Sequence, residues 1–395
     1  MTPTEPTSPE PFGDIPLFRE LQRLLSSGGG PVNFEIAKQV AGAVASRGGY
    51  ETSVDRQVER SLADDVRELE LVMSGYTRLS LDEPLRTEVL TVPDWVSATL
   101  DAWKWLFERT AARFSDEMAK MGGEVEGAVN PMQTALGQIT PLLMGIQVGN
   151  LVGHLATEAL ARYDLPIPRD DEGLLFLVAP NVNKVALDYG FEPAQLQRWL
   201  ATRDVARHLT LSHAPWIQKY FKAVLGEVVD ATEIDIEDLE RRLMELQSLG
   251  MEGLQDAEGL DDSIPVVPTE RHRRALARLH AFVALVEGYA NHAAQAVGRS
   301  RGVDMKKVDE AMTRHRAAPS QGTSMLSNML GIDMDRALEA AGRTFCAAIV
   351  ELKGLTTLNR VWAAADNLPS LGEIKDPFLW IERVATSEEL NPPEE

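Results

Sequence analysis

The chain is 395 residues long and holds one cysteine, Cys346, so no disulfide framework organises it. It is short of positive charge: 39 Lys and Arg against 60 Asp and Glu leave a net charge of −21. An excess of that size repels phosphate backbones and anionic headgroups, which excludes nucleic acid as a partner. No run of ~18 apolar residues occurs, so no membrane insertion is expected. The opening, MTPTEPTSPEPFGDIP, lacks the basic region and apolar core of a secretory signal. With a single thiol, this fits a cytoplasmic location. No G-x-S-x-G occurs, and Cys346 has no histidine near it in sequence, so a nucleophilic serine or cysteine has no support. The GGG at 28–30 is followed by no strand–loop–helix nucleotide signature and reads as a linker.

What is present is a chain with 44% apolar residues, enough for a sizeable core. Residues 1–13 and the acidic 388–395 are rich in proline and polar residues and are expected to be disordered tails. Between them, 14–387 reads as one helical domain with no internal repeat. Helical periods run through FGDIPLFRELQRLLSSGGG, PVNFEIAKQVAGAVASRGG, 51–78, 94–122, 132–163, 216–230, 232–249, 270–297, 303–316 and 334–353. Gly145, Gly149 and Gly153 repeat every fourth residue and predict a smooth groove that lets another helix approach. The clearest strand candidate is LLFLVAPNV, a short apolar run between Gly173 and Pro180. YDLPIPRDDEG, MEGLQDAEGLDDSIPVVPT and AAPSQGTS read as loops. The fold class is therefore mainly α, with a small β element.

Chemistry is concentrated in LQRWLATRDVARHLTLSHAPW, 196–216, a helix that starts near Pro193 and must end before Pro215. On a wheel of about 100° per residue, Leu196, Trp199, Leu200, Thr210 and Leu211 form one face. Arg203 and Arg207 fall in the middle of that face, with Asp204 and His208 on its shoulder. The 270–297 helix repeats the oddity. Glu287 lies inside a stripe of Leu276, Leu279, Val283, Val286 and Ala290, and Asn291 follows one turn later. A carboxylate on a buried face needs a proton, a metal or a cation. The economical reading is that the arginines and the glutamate meet. Two others stay open: a half-buried face whose arginines reach solvent along their apolar stems, and a site for an anionic ligand.

The order of GGGPVNFEIAKQVA, MGIQVGNLVGHLATEALARYDLPIP, LLFLVAPNV, RDVARHLTLSHAPW, LVEGYANHAAQAV, TRHRAAPSQGTSMLSNMLGIDM and NRVWAAADNLPSLGEIKDP resembles a bacterial family of zincin-like metallopeptidases, mostly described as hydrolases. The resemblance covers about 15–385. Zincins hold zinc with the two histidines of H-E-x-x-H and a third ligand further on, and the glutamate between them activates water. Carried over, the resemblance puts Arg203 and Arg207 at the two histidines, Asp204 at the catalytic glutamate and Glu287 at the third ligand. Asn291 then stands behind the ligands, where an aspartate is expected. Arginine has no lone pair to give a metal. The resemblance therefore implies a zincin-like protein with a rewritten centre and no cofactor. It is expected to be inactive as a peptidase and to bind a peptide or protein partner in the former active-site cleft. The alternative is a hydrolase that works without metal, or through a displaced metal on Asp204, His208, His213 and Glu287. His154 reads as a packing residue, and His272, His280, His292 and His315 as solvated.

Overall fold

The computed structural model describes residues 30–47, 53–121, 131–171, 173–234, 241, 266–267, 269–300, 305–318, 320–330 and 336–386. Both expected tails and the helix expected before the glycine triplet lie outside these residues. So does nearly all of the 251–269 loop, and all of the 232–249 helix except 232–234 and 241.

The described residues form one large, mainly helical domain with two small sheets among them. α1 (Phe34–Ser46) starts at Asn33, whose side chain accepts the Ile36 N–H at 3.1 Å and so satisfies one of the free donors of a helix start. α2 (Arg56–Thr77) follows. β1 (Thr87–Leu90) then leads into α3 (Val92–Ala102), which opens with a reciprocal Thr91–Asp94 capping box. α4 (Lys104–Met121) and α5 (Pro131–Ala156) complete the first half. The 94–122 period thus resolves into two helices that break at Trp103.

α5 stops at Ala156, short of the expected Tyr163. The cause is local. The Asp164 carboxylate accepts the N–H groups of Leu160 and Ala161, the latter at 2.8 Å, and folds these residues into a turn. The glycine groove of α5 is filled as expected. A Cβ on Gly145 would lie 2.5 Å from the Asn33 carbonyl oxygen, and one on Gly153 would lie 2.6 Å from the Val44 Cβ, so α1 sits against bare backbone.

β2 (Leu175–Val178) is the expected apolar strand, and all four of its residues are buried. It pairs in parallel with β1, from Thr87 opposite Leu175 to Leu90 opposite Val178. The sequence reading missed β1, because TEVL is too short to display a period. α6 (Ala179–Asp188), α7 (Pro193–Ser212) and α8 (Pro215–Asp230) follow, each with proline in its first turn. Glu233–Ile234, expected to begin a helix, instead forms β3 and pairs antiparallel with β4 (Val266–Val267). α9 (Glu270–Ser300) runs for 31 residues. α10 (Met305–His315), α11 (Gln321–Leu330) and α12 (Arg336–Lys353) complete the frame. AAPSQGTS is loop only at its start, because α11 begins at Gln321. Short helical turns extend the described chain to 386.

Two groups of buried side chains meet along α7 and α9. The larger takes α9 from Ala275 to Tyr289, together with Leu211 at the end of α7. The smaller takes α9 from Ala290 to Val297 and α7 from Leu196 to Leu209. Glu287 lies at the seam between them. α7 is not amphipathic: every residue from Trp199 to Leu211 is buried. A single apolar face was therefore the wrong picture, and Arg203, Asp204, Arg207 and His208 all have to find partners inside the protein. α9 is fixed against α12 by a crossing of two glycines. A Cβ on Gly342 would strike the Ala284 carbonyl, and one on Gly288 would strike the Gly342 carbonyl. That crossing sits directly beside Glu287.

Candidate functional site

Arg207 and Glu287 meet across the α7–α9 seam. Arg207 donates from Nε to Glu287 Oε1 and from Nη2 to Oε2, both at 2.7 Å. Both side chains are nearly closed to solvent, with 5% and 13% of their surface exposed. Burial alone would raise the Glu287 pKa, but the Arg207 guanidinium outweighs it and holds the carboxyl down to about 2. Arg207 is pushed above its ordinary value by the same carboxylate, against the desolvation of its own charge. Its Nη1 also stands 3.5 Å from Asp204 Oδ1.

Arg203 is placed differently. Its guanidinium lies over the Trp199 ring, 4.9 Å from the centroid, at a distance suited to a cation–π contact. The nearest carboxylate oxygens are Glu287 Oε2 at 3.7 Å and Asp309 Oδ1 at 3.8 Å, both too far for hydrogen bonds. Asp309 instead accepts from Trp199 Nε1 at 2.9 Å. Arg203 Nε is buried without a partner among the described residues. Burial first, then the like charges of Arg207 and Arg316, lower the Arg203 pKa to about 9.

These residues line one side of a cavity of about 880 Å³. Trp199, Arg203, Arg207, Glu287 and Asn291 form that wall. Residues of α10, α11 and the turn between them also line it, among them Arg316 and Asp309, which adjoins Trp199 and Arg203. Asn291, one turn beyond Glu287, is buried and lines the cavity itself.

Asp204 and His208 stand elsewhere. Neither lines the cavity. Asp204 Oδ2 accepts the Tyr163 N–H at 3.3 Å, and the Tyr163 hydroxyl pairs with His208 Nδ1 at 2.8 Å. Both face the turn at the end of α5. Desolvation raises the Asp204 carboxyl to about 7 and lowers His208 to about 3. Asp204, expected at the place of the general base, therefore lies off the cavity wall. Its position one residue after Arg203 turns it away by about 100°, and its short side chain does not reach back. His213 caps the end of α7, its ring nitrogen at 2.9 Å from the Leu209 carbonyl. Among the described residues no three His, Cys, Asp or Glu side chains come together to hold a metal ion. The displaced site on Asp204, His208, His213 and Glu287 is therefore not assembled.

The histidines expected to be solvated are largely enclosed. His272 is buried, His292 pairs with the Tyr76 hydroxyl at 2.8 Å, and His315 stacks edge-on against Tyr189. His154 is half-buried on α5. Sequence reasoning also missed an ionic cluster in the loop after α5, where Arg162 and Arg169 both bind Asp171 at 2.6 and 2.7 Å. Asp309 carried no signal at all. Arg316 lies in one of the blocks that carry the family resemblance.

One helix thus presents two positions, four residues apart, to a glutamate on a second helix. A model of zincin-like metallopeptidases matches residues 32–381, and the chain belongs to that family. It is also similar to the crystal structure of a putative hydrolase with a novel fold from Chloroflexus aurantiacus, with a TM-score of 0.61 and 23% identity, over 90% of this chain and 99% of that one. At that identity the likeness establishes the fold. No curated protein matches the chain.

The family's zinc does not fit the residues present. Of the three positions that the resemblance assigns to its ligands, two carry guanidinium groups, which have no free lone pair. The third is Glu287, whose two oxygens are both engaged by Arg207.

Proposed function

We propose that this protein is a zincin-like metallopeptidase relative that has lost zinc hydrolysis and uses the former active-site cleft to bind a peptide or a segment of a partner protein. One observation carries this reading. The Arg207 guanidinium supplies to Glu287, with fixed geometry, the positive charge that a zinc ion would otherwise supply. A carboxylate neutralised in this way neither recruits a metal nor leaves an orphan charge behind. The position of the water-activating glutamate is taken by Asp204, which does not line the cavity and accepts the Tyr163 N–H instead. The cavity itself persists, and its volume suits a few residues of an extended peptide.

The test is elemental analysis of protein purified without a metal-binding tag, followed by peptide-library hydrolysis with and without chelator. The expected result is no stoichiometric metal and no chelator-sensitive cleavage, together with saturable binding of library peptides. Stoichiometric zinc, or cleavage abolished by chelator, overturns the proposal.

A further inference from the structure

The two arginines of α7 are not equivalent, and the difference points to what the cavity holds. Arg207 is saturated by Glu287. Arg203 is equally enclosed, with 8% of its side chain exposed, yet it makes no hydrogen bond among the described residues. A guanidinium has five N–H donors in a rigid plane. Leaving Nε unmet is costly, because it is closed to solvent as well as to protein partners, and the two Nη groups have only what the cavity offers. Two acidic groups lie near enough to balance the charge, at 3.7 and 3.8 Å, but neither meets the donors, and the nearer of them is already held by Arg207. Trp199 fixes the plane of the guanidinium from one side. The remaining direction is the cavity that Arg203 lines.

From this we infer that Arg203, held on the face of Trp199, anchors a carboxylate of the molecule that occupies the cavity. The inference rests on the proposed binding role of the cleft and adds the chemical class of the bound group. The planar, forked guanidinium matches the two oxygens of a carboxylate and binds them through parallel charge-assisted hydrogen bonds. Arg162, Arg316 and Arg343 also line the cavity, interspersed with the carboxylates of Glu158, Glu310 and Glu339. Ser324, Ser327 and Asn328 also line the cavity and offer neutral hydrogen-bonding groups that suit the polar atoms of a ligand main chain. The carboxylate has two natural sources in a peptide: its C-terminus, or an aspartate or glutamate side chain.

The full-length protein distinguishes these directly. Three hexapeptide pools are compared by calorimetry: one free at the C-terminus and lacking Asp and Glu, one amidated and containing Asp and Glu, and one amidated and lacking both. Glutarate and inorganic phosphate serve as small probes. The expected result is that at least one carboxylate-bearing pool binds about tenfold or more tightly than the uncharged pool. That preference should vanish in Arg203→Gln and survive in part in Arg203→Lys, which keeps the charge without the fork. The comparison among pools uses the unmodified protein, so it stands even if Arg203→Gln folds poorly. Equal binding of all three pools overturns the carboxylate anchor and leaves the cleft's binding role intact. Binding of phosphate but of neither carboxylate pool nor glutarate overturns the anchor as well. No binding of any pool or probe overturns both readings.

Discussion

Arg207 and Glu287 join fork to fork, with Nε on Oε1 and Nη2 on Oε2 at 2.7 Å each. The pair ties α7 to α9 at the seam between the two groups of core residues. Its two charges are worth little until one is removed, because each compensates the desolvation of the other.

Glu287→Ala is expected to destabilise by ~3–5 kcal/mol, since it leaves Arg207 charged and enclosed. Glu287→Gln keeps a partial acceptor and should cost less. The double variant Arg207→Leu with Glu287→Leu removes both charges and should be more stable than either single change, a coupling that chemical denaturation measures directly. The pair also carries a pH signature. The Glu287 carboxyl is depressed from 4.5 to about 2 by Arg207, so its stabilisation is complete above 4.5 and is lost as the pH falls towards 2. Near-neutral Glu287→Ala would instead mean that the arginines reach solvent.

Asp204 and His208 carry opposing pH dependences. Asp204 is raised from 3.8 to about 7, so the folded state binds its proton more tightly, and its contribution declines as pH rises through that window. His208 is lowered from 6.5 to about 3, so the unfolded state binds its proton more tightly, and its contribution declines as pH falls through that window. Between about pH 4 and 6.5 the two slopes oppose each other. Asp204→Asn should expose the histidine, giving stability that rises with pH over this range. His208→Gln should expose the aspartate, giving stability that falls. Denaturant midpoints measured from pH 4 to 8 decide it, and parallel curves for both variants would contradict the assignment.

Much of this was legible in the sequence because it was written as local conflict. Arg203 and Arg207 among apolar neighbours, and Glu287 inside an apolar stripe, mark groups that burial alone cannot tolerate. The four-residue repeat of Gly145, Gly149 and Gly153 announced a close helix contact for the same reason. What stayed hidden depends on partners distant along the chain. His292 looks solvated beside its sequence neighbours, and only the fold sets Tyr76 against it. β1 gains meaning only from β2. A wheel assigns one buried face to a helix, so it could not reveal that α7 is enclosed on every side. That is why Arg203 lines the cavity while Asp204, one residue on, turns to Tyr163.

Gly288 and Gly342 carry no repeat and were also missed, yet the α9–α12 crossing depends on them. Gly342→Ala and Gly288→Ala each place a methyl against backbone, which cannot move aside as a side-chain tip can. Each should destabilise by ~1–3 kcal/mol or more. Gly288→Ala should in addition shift Glu287 and weaken ligand binding in the cavity. Gly75 on α2 has open space around it and serves as the control. Gly75→Ala should be neutral or stabilising by up to ~1 kcal/mol, because alanine suits a helix interior better. Equal thermal midpoints for Gly342→Ala and Gly75→Ala would remove the crossing from the account.

The strongest test of the family assignment at the level of the site is to restore the missing chemistry. Arg203 and Arg207 both direct an Nη2 at the same oxygen, Glu287 Oε2, from 3.7 and 2.7 Å. Side chains at these two positions therefore converge on one carboxylate, as the histidines of a zincin must. Arg203→His, Asp204→Glu and Arg207→His together supply two neutral imidazoles beside a carboxylate that no longer has a guanidinium to neutralise it. Zinc then becomes the cation the site lacks. Added zinc should raise the melting temperature of the triple variant and leave the unmodified protein unchanged, because a ligand stabilises only the state that binds it. A tenfold rise in free zinc above its Kd adds ~1.4 kcal/mol, so a titration gives the affinity. Adding Glu287→Gln to the triple variant should abolish the response, which separates the intended site from surface binding. Adding Asn291→Asp should strengthen it, because a carboxylate behind a ligating imidazole fixes its orientation. A folded triple variant that ignores zinc would break the correspondence between these arginines and the zincin histidines.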